Sequence, residues 1–211
     1  YIGSFTLTCS VSDQINTSTS DAAFSLAFTI SNSRYTANLI TTSGSTGVNN
    51  TITDRSTSGH TVTIGGDPLQ GGFSPYRSGG YSAYFGATTA SKLTFPSHSD
   101  FAIGTGDFTV ETWINIPDAD STWQLLMSTS TLKIYKNSGD TELNIYNGGS
   151  SLFTTSGAAL TDETWHHVAV VRSSGTLKCY VDGTERGSVS NSDSFFTGND
   201  ISIGSHSTSY P

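Results

Sequence analysis

Apolar and polar residues alternate over short runs along most of this chain. The runs occur at residues 4–11, 23–30, 35–40, 60–64, 81–85, 92–95, 108–116, 123–128, 131–135, 142–146, 151–154, 166–172, 176–181, 185–189 and 201–203. A period of two residues indicates a strand with one buried face. No helical period of useful length occurs, apart from one turn expected at residues 158–163. The pattern therefore predicts an all-β fold.

Turn-forming residues separate these runs. Asp182-Gly183 is the strongest hairpin signal, and Asn147-Gly148-Gly149 also lies between two alternating runs. Glycine and proline interrupt residues 65–80 so often that a series of turns is expected there. Many short strands with turns between them predict an antiparallel sandwich or barrel.

Composition and charge exclude several classes of partner. Charged residues make up 12% of the 211 residues, against roughly 25% in an average soluble domain. The net charge of −8 excludes nucleic acid and anionic membrane surfaces as partners. No apolar run approaches the roughly 20 residues that span a bilayer, so membrane insertion is not expected. The chain begins with Tyr1, and we expect it to be processed or part of something longer.

Three motifs in order give the chain a strong resemblance to the laminin G-like domains of the concanavalin A-like superfamily. They are GDFTVETWIN at residues 106–115, TDETWHHVAVVR at 161–172 and LKCYVDG at 177–183. The resemblance implies an antiparallel jelly-roll β-sandwich with one concave and one convex sheet. It divides the chain into residues 1–34, an N-terminal β extension, and residues 35–211, the jelly roll.

A narrower likeness links residues 49–56, 73–76 and 80–85 to laminin G-like modules in virion and fibre proteins of aquatic phages. Two features depart from the family pattern. Gly86-Ala87 stands where the family usually has Asp-Gly, so a calcium ligand sometimes found in that loop is missing. The family also continues beyond the strand at residues 201–203 into a closing strand, whereas this chain stops at Pro211.

The N-terminal strand is a candidate for assembly. A sandwich without its closing strand would expose unpaired N–H and C=O groups at a sheet edge. The strand at residues 4–11 lies outside the region of resemblance and alternates Phe5, Leu7, Cys9 and Val11 on one face. It is expected to fill the gap in its own chain or, by β-strand addition, in a neighbouring copy, which generates a filament. The sequence leaves open whether residues after Pro211 were instead removed.

The candidate glycan-binding residues are Trp123, Tyr146 and Asn147, with Glu111 and Asn115 on the concave sheet. Sugar binding needs an aromatic surface with amide or carboxylate groups beside it. For each of these residues, a structural role is the stronger alternative. Glycoside hydrolysis needs two carboxylates about 5 to 9 Å apart, and the strand at residues 108–116 carries only Glu111. We therefore expect no enzyme activity.

The histidines do not predict a zinc site. His166 and His167 are adjacent on a strand and point to opposite faces, so they cannot both bind one ion. His60, His98 and His206 have no cysteine or second histidine at ligand spacing.

Calcium is the metal that the oxygen-rich loops favour. Asp118, Asp120 and Asp182 are its candidate ligands, although no loop signature is present. The alternative is that these carboxylates cap turns. No other cofactor is implied. Cys9 and Cys179 lie far apart in sequence, which leaves open whether they are bonded to each other.

Two functions follow from these expectations. In the first, the chain is a non-enzymatic structural or adhesive subunit of an extracellular fibre, filament or phage tail fibre, and it self-associates partly by strand exchange. In the second, it is a lectin-like module that attaches to cell-surface glycans, with or without calcium. Both place the chain outside the cell or on a virion surface.

Overall fold

A computed structural model describes residues 2–12, 17–27, 35–42, 51–72, 74–75, 80–86, 90–116, 123–137, 139–157, 160–161, 163–198, 200–204 and 206–207. The chain divides into two compact units, Tyr1–Thr36 and Ala37–Pro211.

The first unit contains an antiparallel hairpin of two long strands, β1 (Ile2–Ser12) and β2 (Thr17–Ala27). Phe5 is paired with Phe24 and Val11 with Ser18. The strand predicted at residues 4–11 is confirmed. The second strand begins six positions before the predicted residue 23, because backbone pairing continues through polar residues that give no apolar signal. The end of that prediction, residues 28–30, lies outside the described residues.

The second unit contains the other strands of the described residues. They are β3 (Ile40–Thr42), β4 (Ile52–Asp54), β5 (Thr63–Gly65), β6 (Leu69–Gly71), β7 (Ser82–Tyr84), β8 (Lys92–Phe95), β9 (Ala102–Gly104), β10 (Phe108–Asn115), β11 (Trp123–Ser128), β12 (Leu132–Lys136), β13 (Leu143–Asn147), β14 (Ser150–Thr154), β15 (Trp165–Ser173), β16 (Thr176–Val181), β17 (Thr184–Ser190), β18 (Phe195–Thr197), β19 (Ile201–Ile203) and β20 (His206–Ser207). A short 3₁₀ helix, Ser99–Phe101, precedes β9.

Two large antiparallel sheets organise this unit. One has four strands in the order β10-β15-β16-β17. The other has the order β14-β13-β12-β11-β19-β8-β5, with β20 paired to β11. Two-stranded pairs β3/β4, β6/β7 and β9/β18 accompany them.

The core lies between the two large sheets, because residues on one face of most of their strands are buried in one apolar cluster. The four-stranded sheet supplies Phe108, Val168, Val170, Leu177, Cys179 and Val181, and the other sheet supplies Leu93, Phe95, Met127, Leu132, Ile134, Leu143 and Ile145. This arrangement confirms the predicted antiparallel β-sandwich.

The tight turns of the four-stranded sheet adopt left-handed backbone conformations. Asp182 and Gly183 have φ angles of 50° and 76°, and Ser174 and Gly175 have 49° and 76°. Two consecutive positive φ angles match the right-handed twist of the flanking strands. The hairpin predicted at Asp182-Gly183 is confirmed.

The strand predicted at residues 35–40 is wrong, because β3 begins only at Ile40. The side chain of Asp54 explains the late start. Its Oδ1 atom accepts a hydrogen bond from the Leu39 amide at 2.8 Å, and its Oδ2 atom accepts one from the His60 amide at 2.8 Å. Both amides are therefore directed at a carboxylate and not into a sheet. The hydrogen bond from the His60 amide to Asp54 likewise explains why β5, which was predicted to begin at residue 60, begins at Thr63.

Arg172 is the largest fully buried side chain of the described residues, with 1% of its surface exposed. Its guanidinium group donates to backbone carbonyl oxygens from three places in the sequence. Nε donates to Gly106 at 2.9 Å, Nη2 to Gly104 and Gly106 at 2.6 Å, and Nη1 to Asp193 at 2.5 Å. The side chain thus links β15 to the start of β10 and to the segment before β18.

Aromatic rings complete the surroundings of this guanidinium group. Its Cζ atom lies 5.1 Å from the ring centroid of Phe108 and 5.2 Å from that of Phe195. Burial lowers the pKa of Arg172, and the charges of Asp107 and Asp193 oppose that effect. The cation is therefore held by carbonyl dipoles and ring faces.

We expect Arg172→Lys to destabilise the chain by roughly 3 kcal/mol, because an ammonium group cannot reproduce the forked donors and leaves buried carbonyls unsatisfied. Urea unfolding followed by tryptophan fluorescence measures the change. Arg55→Lys is the matched control, since Arg55 is exposed, and its effect should stay within about 0.5 kcal/mol. Equal unfolding midpoints for the two variants would contradict the role given to Arg172.

Candidate functional site

The face of the four-stranded sheet that points away from the core carries polar and aromatic residues together. On β10, Phe108, Val110 and Ile114 pack toward the core, so the alternating residues between them face outward. The cross-strand partners are Trp113 with His167 and Asn115 with Trp165. We call this surface the outer face, and it comprises Glu111, Trp113, Asn115, Trp165 and His167.

The centre of the outer face is an aromatic ring beside a carboxylate. The ring centroids of Trp113 and His167 lie 5.3 Å apart, and Nε2 of His167 lies 3.6 Å from Oε2 of Glu111. The Glu111 side chain is 64% exposed. Its oxygens can therefore accept hydrogen bonds from a ligand, while the ring next to them offers an apolar surface.

Trp123 and Tyr146 lie in the other large sheet. Tyr135 stands between them, with ring centroids 5.4 Å from Trp123 and 5.3 Å from Tyr146. Tyr135 is 1% exposed and the two outer rings are partly buried. The three rings form a packed row.

The side chain of Asn147 is hydrogen-bonded to another residue of the sandwich. Its Nδ2 atom donates to Oδ2 of Asp193 at 2.8 Å, and Nδ2 of Asn191 donates to the same oxygen at 2.8 Å. The structure thus brings Glu111 and Asn115 together on β10, and Trp123 and Tyr146 together through Tyr135. It places these two groups in different sheets.

Of the calcium candidates, Asp118 and Asp120 lie outside the described residues. Asp182 uses both of its oxygens within the chain. Oδ2 lies 2.7 Å from Nδ1 of His166, and Oδ1 accepts from the His167 amide at 2.8 Å. The Thr161 amide donates to Nε2 of His166 at 3.1 Å, so the imidazole proton resides on Nδ1 and is donated to Asp182.

Gly86 stands where the family usually has Asp, and the structure places a carboxylate in the vacant space. A Cβ atom at residue 86 would lie 2.5 and 2.7 Å from the two oxygens of Asp67. The absence of a side chain at Gly86 therefore makes room for an acidic group from a different loop.

His60 and His98, which have no second histidine at ligand spacing in the sequence, lie close to each other and to Asp100 in the structure. One ligand atom each from His60, His98 and Asp100 lie within 4.8 Å of one another. The two histidines are 38 positions apart, and pairing of β5 with β8 brings them together. No local spacing in the sequence could show this.

Cys179 carries a free thiol in the core of the sandwich. Burial raises its pKa to about 12, so the thiol is protonated at neutral pH. Among the described residues, no helix is long and apolar enough to cross a membrane.

Comparison with known proteins gives a match to one family model. The model described as the concanavalin A-like lectin/glucanases superfamily matches residues 85–211, which is more than half of the chain. No curated protein matches this sequence.

Several solved structures are similar to the chain at low identity. Domain 4 of AbnA, a GH43 extracellular arabinanase from Geobacillus stearothermophilus, was solved in complex with arabinotriose. It is 18% identical over 72% of this chain and 76% of that chain, with a TM-score of 0.49. The carbohydrate-binding module CBM66 from Bacillus subtilis is 14% identical over 60% of this chain and 83% of that one, with a TM-score of 0.38. The Bacillus licheniformis β-glucanase is 12% identical over 65% and 64%, with a TM-score of 0.39. The chain thus spans less than two thirds of the β-glucanase.

We expect Asp182→Asn to destabilise the chain by about 1 kcal/mol at pH 7, because it removes a charge-assisted hydrogen bond from a half-exposed group. Burial alone would raise the pKa of Asp182, but the bonds from His166 and His167 outweigh it and lower the pKa below 3.8. The carboxylate therefore stabilises the fold fully above its unfolded pKa, and this contribution is lost as the pH falls through the folded pKa.

Urea midpoints of the parent chain and of Asp182→Asn, measured from pH 7 to pH 2, should converge at the acid end. Glu163→Gln, at an exposed position, is the control and should show little difference at any pH. A difference for Asp182→Asn that stays constant through the acid range would refute the assignment.

Proposed function

Since this chain belongs to the concanavalin A-like lectin/glucanases superfamily, we propose that it is a non-catalytic module that binds carbohydrate through its outer face. The observation that supports this most directly is the partly exposed Trp113 ring flanked by the exposed Glu111 and Asn115. Sugars present apolar C–H surfaces that stack on aromatic rings, and their hydroxyl groups pair with carboxylate and amide groups.

The imidazole of His167, which lies beside Glu111, favours binding without hydrolysis. Glycoside hydrolases use two carboxyl groups that flank the scissile bond. Here Glu111 faces the imidazole of His167 at 3.6 Å, and β10 supplies no second acidic residue. The arrangement suits hydrogen bonding to a bound sugar more than acid and nucleophile chemistry.

Trp123, Tyr146 and Asn147 stay predicted glycan-binding residues, but we place them outside this site because they belong to the other sheet. A module that binds surface glycans acts outside the cell or on a virion surface. Calcium dependence is likewise a proposal, and it rests on Asp118 and Asp120, together with Asp182.

We expect the full chain to bind a defined group of glycans on an array, and Glu111→Gln and Asn115→Ala to weaken that binding about tenfold each, as loss of one hydrogen bond to a charged or amide group predicts. Isothermal titration with the best glycan of the array measures the loss. Repeating the array with EDTA tests calcium.

Glu185→Gln is the matched control, since Glu185 is an exposed acid of the same sheet that pairs with Lys178 at 2.8 Å. It should bind as the parent does. The proposal fails if the parent chain binds nothing on the array, or if Glu111→Gln and Glu185→Gln behave alike.

We also propose that copies of the chain join through the N-terminal hairpin into a fibre or multimer. Two observations favour it. A two-stranded hairpin has little stability alone in water, yet β1 and β2 form a separate compact unit. In addition, β10 is an edge strand of eight residues in the order of the four-stranded sheet. Such an edge accepts an added strand through backbone hydrogen bonds.

The similarity of residues 49–56, 73–76 and 80–85 to modules of virion and fibre proteins is the sequence basis for this second function. In a fibre, Phe5, Leu7, Cys9 and Val11 would form the assembly strand.

We expect Phe5→Ser combined with Leu7→Ser to dissociate the multimers, because the paired strand loses its apolar contacts. Size-exclusion chromatography with light scattering and negative-stain images measure the change. Removal of residues 1–12 should have the same effect. Thr6→Ser with Thr8→Ser is the control on the alternate positions and should leave the multimers intact. Multimers that survive removal of residues 1–12 would exclude assembly through this strand.

A further inference from the structure

Antiparallel pairing brings two histidines to one end of the seven-strand path of the larger sheet. In the β5/β8 pair, Thr63 faces Thr94 and Gly65 faces Lys92. His60 lies just before β5 and His98 just after β8, so both fall at the same end of the pair. Their ring centroids are 4.6 Å apart. The short 3₁₀ helix that follows places Asp100 against both rings.

The two histidines border a cleft. It has a volume of about 250 Å³ and is lined by Ser58, Gly59, His60, Thr61, Pro96, Ser97 and His98. A small ion held by the two rings would therefore still be accessible from solvent.

The His98 ring presents a lone pair to Asp100. The Asp100 amide donates to Nδ1 of His98 at 3.1 Å, so that nitrogen carries no proton. The same Nδ1 lies 3.3 Å from Oδ1 of Asp100. Nδ1 and Oδ1 are thus two electron-rich atoms close together, and a cation bound between them would replace the amide as the partner of the Nδ1 lone pair.

His60 provides a second, independent observation at this cluster. Its side chain is 8% exposed, and Nε2 lies 3.2 Å from Oδ2 of Asp100. These two atoms lie within ion-pair distance, but their alignment falls short of a full hydrogen bond, and Nε2 has no other hydrogen-bond partner among the described residues. A buried polar atom of this kind calls for a partner, and a bound cation would supply one.

We propose that His60, His98 and Asp100 bind a zinc ion. In a tetrahedral site with bonds of about 2.0 to 2.1 Å, neighbouring ligand atoms lie about 3.3 Å apart. Nε2 of His60 already lies at this distance, 3.2 Å, from Oδ2 of Asp100, while Nδ1 of His98 lies 3.3 Å from the other carboxylate oxygen, Oδ1. Closure then requires only a modest approach of the two imidazoles, whose ligand atoms lie within 4.8 Å.

The donor set selects the metal. Two imidazole nitrogens and one carboxylate suit zinc, whereas calcium prefers six or more oxygen ligands. Ser58 donates its hydroxyl to Oδ2 of Asp100 at 2.5 Å and so orients the carboxylate. Three protein ligands leave the fourth position open toward the cleft, for water or for an oxygen atom of a ligand.

The zinc site is separate from the proposed glycan site. β5 and β8 belong to the larger sheet, and the outer face belongs to the four-stranded sheet. Either proposal can fail without the other.

Isothermal titration of zinc chloride into the full chain, freed of metal with EDTA and carrying no histidine tag, should show one bound ion per chain. His98→Asn should weaken binding by about 100-fold while keeping an acceptor for the Asp100 amide. Asp100→Asn should weaken it similarly. Cobalt substituted for zinc should give the intense visible absorption of a tetrahedral site, and calcium chloride should give no binding at this site.

His167→Gln is the matched control, because it removes an imidazole from the outer face and should leave zinc affinity unchanged. Circular dichroism and thermal unfolding establish that each variant is folded. The proposal is overturned if the parent chain binds no zinc. It is equally overturned if His98→Asn and Asp100→Asn bind as tightly as the parent, or if His167→Gln loses the ion to the same extent.

Discussion

The buried guanidinium group of Arg172 is the interaction on which the sandwich depends most. It donates to the carbonyls of Gly104, Gly106 and Asp193, three points that border β9, β10 and β18. Because a buried cation is costly without partners, the chain must bring these carbonyls together whenever it folds. The side chain thereby fixes where β10 begins, and β10 carries the outer face.

Two carboxylates in other parts of the chain also help to set the bounds of strands. Asp54 accepts the amides of Leu39, Ser56 and His60, and thereby sets where the backbone pairing of β3 and β5 begins. Asp182 holds His166 by its ring and His167 by its amide, next to the start of β15. In each case a side chain takes the place of a sheet partner near the start of a strand. The position of His60, and hence of the proposed zinc ligands, follows from the first of them.

Strands with clear alternation could be predicted closely from the sequence. The prediction for Thr176–Val181 has the observed bounds, since its alternate residues enter the core. The three-residue strands β9 (Ala-Ile-Gly) and β18 (Phe-Phe-Thr) were missed because their residues do not alternate between apolar and polar, whereas β19 (Ile-Ser-Ile) alternates and was predicted. The error at residues 35–40 came from Asp54, whose contact with Leu39 spans fifteen positions. Alternation along the strand also predicted that Glu111 and Asn115 lie on the same face of β10. That Trp123 belongs to another sheet, and that His60 meets His98, depends on strand order, which alternation does not encode.

β10 is exposed in two directions, since its side chains cover part of the outer face while its backbone forms a sheet edge. If neighbouring copies pair along that edge, each junction also sets the spacing between one proposed glycan-binding face and the next. Attachment to a glycan-coated surface would then draw on many weak contacts at once, and the effective affinity would grow with the length of the assembly. The position of β10 would in that way link the length of the assembly to the strength of its attachment to the surface.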